Sequence, residues 1–558
     1  MPANRQPRRP WPCFPCRRAT TAALRLAALS VALATPPSAF AATDHVTFSR
    51  DVAPIFFHRC ATCHRPGEVA PMSLLDYAAA RPWARSIARA VRARAMPPWS
   101  AESDHRRWAN DMALSPDEIA TIVRWVESGA PEGDPADLPP KPTFPSDWSL
   151  GEPDLVLTLD GVEVPAGGPD LFPQQWLEID LDRPRWVRAI EFLPGDRRVT
   201  HHFQSAYNTP ATVRAPTLGQ DVEIPEGRGG SGVFAIWTAG MPPYAFPEGM
   251  GRIVTPETRI LVDSHYHPFG EATTDQTRIG LYFGEGELRK EVATMVAVNT
   301  GLRIPPGVAD HPELAFHVFD RDMQILAFSP HMHVRGKAMR YELTYPDGRR
   351  ETLLDVPRYD YNWQWLYYPV EPIDVPAGSR LDVTAVWDNS AGNPANPDPG
   401  QEIIYRGDTF NEMFVGFFEA IQKDGVYHQP KPPTQKLEEL LAAHPAEDSY
   451  LIGGFAPIGL YAPKTGEGWL YLVQGLAMMT ISLDDFEWNG NRLTVDTQFP
   501  TPEASATTTH LEVELTPEGR LQGKLRIGTD TERPLELPVA GKRMSAANAP
   551  GTARDSAR

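Results

Sequence analysis

Cysteine is nearly absent from this chain of 558 residues, which has only four. Two of them, Cys13 and Cys16, lie in an arginine-rich leader, so the remainder keeps only Cys60 and Cys63. That excludes the disulfide framework on which many small exported domains depend. With no second cysteine pair, a four-thiolate zinc site is excluded as well. Long apolar runs are missing too: outside the leader none approaches the ~20 residues that span a bilayer, so no membrane span is predicted. Positive charge is in deficit, with 53 Lys and Arg against 71 Asp and Glu and a formal net charge of −18. Such a balance argues against nucleic acid or anionic lipid as a partner. There is no glycine-rich phosphate loop and no G-x-S-x-G elbow, which removes the commonest nucleotide-binding and serine-hydrolase chemistries.

What is present begins with an export signal. Arg5, Arg8, Arg9, Arg17, Arg18 and Arg25 form a positive region, Leu26 to Ala34 a short apolar one, and Ala39-Phe-Ala41 an A-x-A cleavage site. Cleavage after Ala41 removes six arginines and no acid, taking the charge from −18 to −24. A periplasmic or secreted location is therefore expected.

Cys60-Ala-Thr-Cys63-His64 is the c-type haem attachment pattern. Two thiols at this spacing form thioethers to one porphyrin, and the adjoining His64 becomes the proximal iron ligand. A redox dithiol would not require the histidine. For the distal ligand the candidates are Met72, Met96 and Met112, with His58 and His105 as alternatives. Met96 is favoured, because Met96-Pro-Pro-Trp99 follows the helical run Trp83–Ala95 and the prolines stiffen an extended segment. His/Met ligation suits electron transfer. Ser115-Pro-Asp-Glu118 is a capping box with proline at N1, ahead of an apolar stripe of Ile119, Ile122, Val123 and Val126. Residues 45–133 resemble class I cytochrome c domains, and a proline-rich linker, 134–147, ends them.

From Trp148 to about Val426 short strands alternate with Pro/Gly/Asp turns, the signature of β-sandwiches. Four groups of metal-competent side chains fall there. His201 and His202 are adjacent, so a regular strand would send them to opposite faces; a bulge, or the use of different ring nitrogens, would let both reach one ion. Asp263-Ser-His265-Tyr-His267 ends the strand Arg259-Ile-Leu-Val. His331-Met-His333 is expected to place two imidazoles side by side on one strand face, ahead of a hairpin, Met339–Tyr345 and Glu351–Val356, turning at Asp347-Gly348. Met413 offers a thioether inside an otherwise hydrophobic strand. Imidazole and thioether together suit copper.

This order, His-His, His-Tyr, His-x-His, Met, resembles the ascorbate-dependent copper monooxygenases, the family of peptidylglycine α-hydroxylating monooxygenase and dopamine β-monooxygenase. The resemblance covers about half the chain and includes Gly336-Lys337 after His333. It implies two jelly-roll sandwiches, 148–300 and 301–428, each carrying one copper across a solvent-filled cleft. His201, His202 and His265 would hold the electron-transfer copper; His331, His333 and Met413 would hold the copper that meets dioxygen. His267 is extra to the pattern. Animal members carry several disulfides, whereas here packing alone must hold the sandwiches together. The peptide-amidating branch grips a substrate carboxylate with residues that are Ser329, Val415 and Phe417 here, so a glycine-extended peptide is not the expected substrate.

The C-terminal part, 429–543, reads as a smaller mainly β domain. It has a short helix at Lys436–Ala443, strands at Gly468–Val473 and Leu493–Asp496, and a half-exposed hairpin from Thr509–Leu515 to Leu521–Ile527. Met478 and Met479 are assigned to its core, and 544–558 to a disordered tail. The fold class expected is therefore multidomain, a small all-α cytochrome c module followed by β-sandwiches. The function expected is an exported copper monooxygenase acting on a small organic substrate with dioxygen. It would carry one covalent haem c and two copper ions, with ascorbate or a periplasmic donor as reductant. The alternative is a non-catalytic haem/copper electron-transfer or copper-carrying protein. A zinc hydrolase finds little support, since no acid stands close in sequence to the histidine pairs as a base.

Overall fold

The computed structural model describes residues 45–102, 104–145, 147–209, 217–218, 222–223, 230–406, 410–426, 433–442, 444–453, 457–466, 468–474, 477–483, 486–500, 506–527 and 535–544. The export signal and the tail lie outside them, apart from Met544. The chain is mainly β with few helices, and among the described residues no helix is long and apolar enough to cross a membrane.

The helices cluster near the start. α1 (Ala53–Arg59), α2 (Ala84–Arg92) and α3 (Pro116–Glu127) surround a core of Phe48, Val52, Phe56, Leu74, Ile87, Val91, Ile122 and Trp125. α3 begins with the reciprocal capping box of Ser115 and Glu118, which satisfies two backbone donors at once. Between α2 and α3 the chain leaves this cluster. Trp99 and Trp108 pack into the core of the β region, where Trp108 meets Phe328 edge-on, ring centres 6.3 Å apart.

The first β region has two facing sheets. Its strands in chain order are β1 (Leu155–Thr158), β2 (Gln174–Glu178), β3 (Arg185–Leu193), β4 (Thr200–Thr209), β5 (Gly230–Thr238), β6 (Met250–Val254), β7 (Arg259–Tyr266) and β8 (Arg278–Phe283). One sheet runs β1-β8-β3-β6 and the other β2-β7-β4-β5. Phe192 of β3 stacks on Phe203 of β4 across the interior at 5.4 Å.

The second region comprises β9 (Ala293–Asn299), β10 (His311–Val318), β11 (Met323–His331), β12 (Gly336–Thr344), β13 (Arg350–Val356), β14 (Arg380–Trp387) and β15 (Val415–Gln422). The sheet β10-β14-β12-β13 faces β11-β15-β9. β14 alternates half-buried and buried residues along its whole length, as a strand with one face on a core should. β15 is buried at every position, because it is flanked on both edges and covered on both faces. The β12–β13 hairpin turns at Asp347-Gly348, where Gly348 takes φ +85°.

β9, which falls before residue 300, hydrogen-bonds β15 of the second region and also, in parallel, a C-terminal strand, β16 (Ala477–Leu483). The C-terminal strands thereby continue that sheet to thirteen strands. The helix there spans Pro433–Leu441, and the strands Ala506–Leu515 and Arg520–Ile527 form the expected hairpin. The side chains of Met478 and Met479 lie outside what is described.

Candidate metal centres

The first centre is made by a bulge. β4 and β7 pair His202 with His265, but the next pair is Thr200 with Tyr266, so His201 is the extra residue. A bulge turns its side chain toward the face its neighbour uses. His202 Nδ1 consequently lies 3.5 Å from His201 Nδ1 and 3.4 Å from His265 Nδ1. One ligand nitrogen from each of the three falls within 4.8 Å of the others.

A carboxylate fixes the tautomer. Asp170 Oδ2 lies 2.7 Å from His265 Nε2, and its other oxygen 2.8 Å from His267 Nδ1. A carboxylate accepts only, so His265 donates from Nε2 and turns Nδ1 inward. Burial, then the neighbouring His265, pulls the His201 pKa down to about 3, and burial takes His202 well below its usual value. Burial raises the Asp170 carboxyl, but the bonds from His265 and His267 outweigh it and hold it below the ordinary range. Three imidazoles with converging Nδ1 atoms cannot satisfy one another, since any pair can share only one proton. A cation at their centre would satisfy all three, so these residues fit the ion that the resemblance implies. Phe172, stacked on His265 with ring centres 4.5 Å apart, holds the ring from outside. His267 is largely exposed and serves Asp170.

The second centre departs from the strand geometry expected. β11 ends at His331, and His333 lies beyond it in the turn before β12. The rings stand 5.3 Å apart and perpendicular, not side by side on one strand face. Both tautomers are again set by acceptors. His331 Nδ1 donates to Gln364 Oε1 at 2.6 Å and His333 Nδ1 to the Asn411 carbonyl at 3.0 Å. Burial pulls the His331 pKa down to about 3. The turn is tight: a Cβ on Gly336 would lie 2.7 Å from Met332 Cβ, and Tyr359 pins the Met332 backbone from both sides.

Met413 precedes β15 rather than lying inside a strand. The ladder ends where it pairs His331 with Val415, two residues after Met413. Glu412, the residue before Met413, ties this segment to the turn that carries His333. Its carboxylate accepts from the backbone N–H of His333 (2.7 Å) and Arg335 (2.6 Å) and from Trp387 Nε1 (3.1 Å). Burial pushes its carboxyl up to about 7 against those donors. Phe417 packs on His331, ring centres 5.9 Å apart, and Ser329 is buried opposite Phe417 in the ladder, so the surroundings are apolar.

At the cysteine motif, His64 N–H bonds back to the Cys60 carbonyl, and His64 Nδ1 donates to the Met72 carbonyl at 3.3 Å. His64 Nε2 is thus the free ligand atom, as a proximal histidine requires, and Met72 sits on the histidine's side. Burial pushes both thiols up to about 12, which disfavours the thiolate a reactive redox pair needs. Met112 packs against the β core. Met96 is 37% exposed, and His58 and His105 are exposed. Cys63 faces the β region: its Sγ is 3.9 Å from the Ala239 carbonyl, and a Cβ on Gly240 would come within 2.5 Å of it.

Several residues escaped the sequence reading. Asp170 is remote in sequence from His265 and gives no local signal. Gln364 and Tyr361 belong to Tyr361-Asn-Trp363-Gln-Trp365, whose alternating aromatics were the available clue. Tyr361 lies between the centres, its ring 5.8 Å from those of His202 and His265 and 6.0 Å from that of His333. No protein-family model matches the sequence, and no curated protein matches it.

Proposed function

We propose that the chain is an exported copper-dependent monooxygenase that hydroxylates a C–H bond of a small organic substrate with dioxygen. Electrons come in part from a haem c held by Cys60, Cys63, His64 and Met96. His201, His202 and His265 would hold one copper ion, and His331, His333 and Met413 the second. When bound, copper supplies the one-electron redox and dioxygen chemistry that side chains cannot. One oxygen atom goes to the substrate and the other leaves as water, consuming two electrons and two protons.

The observation that carries the reading is the pair of histidine groups, with oriented rings, on either side of one tyrosine ring. Asp170, Gln364 and the Asn411 carbonyl orient the imidazoles, while Phe417 and Val415 keep water from the second group. The acids now seen beside the histidines do not revive a zinc hydrolase. Asp170 is occupied by two imidazoles and Glu412 by three N–H groups.

The test is dioxygen uptake by the holoprotein with a one-electron reductant such as ascorbate and a panel of small C–H substrates. Uptake should yield alcohol labelled from ¹⁸O₂ and vanish in His331→Ala and Met413→Ala while haem content stays constant. Haem and copper present with no uptake across the panel would indicate an electron-transfer or copper-carrying protein instead.

A further inference from the structure

The haem attachment site and the three-histidine centre are joined by one aromatic segment. A Cβ on Gly240 would lie 2.5 Å from Cys63 Sγ and 3.9 Å from Trp365 Cη2, so the thiol and the indole flank the same point. Trp365 is anchored there, its Nε1 donating to the Pro98 carbonyl at 2.7 Å. Trp363 stacks on Trp365, the planes 10° apart and the centroids 6.5 Å, and Trp363 meets His201 at 6.0 Å. Two residues earlier Tyr361 touches His202, His265 and His333. Residues 361, 363 and 365 therefore present three successive rings from the cysteine motif to the second centre. A purely structural role would require only that they fill space, yet each ring ends on a candidate redox ligand or on the next ring.

We propose that Trp365 and Trp363 form the path by which one electron passes from the haem at Cys60/Cys63 to the metal at His201. This rests on the copper reading above. In the step a ferrous haem becomes ferric and a cupric ion at the three-histidine centre becomes cuprous; no proton moves, and an external one-electron reductant restores the haem. A competing route exists: Cys63 Sγ to the Ala239 carbonyl, then the Ala239 N–H to the His201 carbonyl at 3.3 Å. It uses backbone alone, so side-chain substitution separates the two.

The experiment is flash reduction of the haem in fully oxidised, oxygen-free holoprotein, following haem re-oxidation optically and Cu(II) by EPR. Wild type should re-oxidise its haem with loss of one Cu(II) signal. Trp363→Leu should slow this by about an order of magnitude with copper content and Cu(II) EPR unchanged, and Trp363→Phe should fall between. If the leucine variant loses copper, Trp363→Met, a flexible space-filler without a ring, replaces it under the same criterion. A leucine or methionine variant as fast as wild type overturns the path in favour of the Ala239 backbone, and a wild type without re-oxidation overturns it outright. A holoprotein with no copper at the three histidines overturns the underlying reading instead, which metal analysis distinguishes.

Discussion

Asp170 fixes which nitrogen of His265 faces the first centre, through a 2.7 Å bond that a ligand-set description would omit. Carboxylates in this position raise the basicity of a metal-binding imidazole and hold its ring. Asp170→Ala should therefore weaken copper binding at the three histidines by about 10- to 100-fold, read by chelator competition, and leave the second centre unchanged. Equal affinity in the variant would show that Asp170 serves only His267. A second prediction concerns His317, buried against Phe319 and Phe418 with Nδ1 bonded to the Val296 carbonyl. Burial, then Lys436, depresses its pKa well below 6.5. Below pH 6.5 the unfolded chain takes this proton and the folded chain does not. The stability present above that pH is thus lost on acidification, by up to about 1.4 kcal/mol per pH unit. His317→Leu should flatten the acid limb of a melting-temperature–pH curve; an unchanged slope would assign that limb to other groups. At this scale the sequence supplies candidate ligand types, since imidazole and thioether chemistry is intrinsic. The supporting residues were hidden, because Asp170 and Gln364 meet their histidines only through the fold.

Two elements bring the ligands together, and both are interruptions of regular structure. The bulge at His201 is one of the two ways by which adjacent histidines can reach one ion, the other being the use of different ring nitrogens. The end of β11 at His331 was not foreseen. A two-residue period was assumed to continue through His333, whereas Gly336 and Tyr359 close the chain into a turn there. Met413 likewise lies two residues before β15, next to Glu412 in the chain. Glu412→Ala would remove the carboxylate that accepts from three N–H groups and should cost about 3 kcal/mol or more. It should also release the second copper before the first, as denaturant titration followed by EPR would show; simultaneous loss would mean that Glu412 supports the whole fold instead of this turn. The segment Tyr361–Trp365 carries an aromatic at every second residue, but nothing in that alternation marks it as a connector between the two centres.

On the scale of the molecule, the two β regions are tied by more than a linker. Arg252 of β6 bonds Glu419 of β15 at 2.5 Å in a buried ion pair, and β9 stitches β15 to β16. Removal of residues 433–558 would leave β9 with an open edge, which invites pairing between chains. The truncated chain should unfold at lower temperature and self-associate, by scattering-monitored melting; a monomer of unchanged midpoint would make the C-terminal strands an independent appendage. Strand content and hairpins were readable from alternation, but this sharing of one sheet was not, because parallel pairing between distant strands leaves no mark in either.

The central claim is that two copper centres and one haem occupy this chain. Metal analysis with EPR on holoprotein matured under copper-replete conditions tests it most directly. Two copper ions and one iron per chain are expected, with two distinguishable Cu(II) signals beside a low-spin haem. His201→Ala should remove one signal and His331→Ala the other. Zinc in place of copper, or a single copper signal indifferent to one of these substitutions, would contradict it.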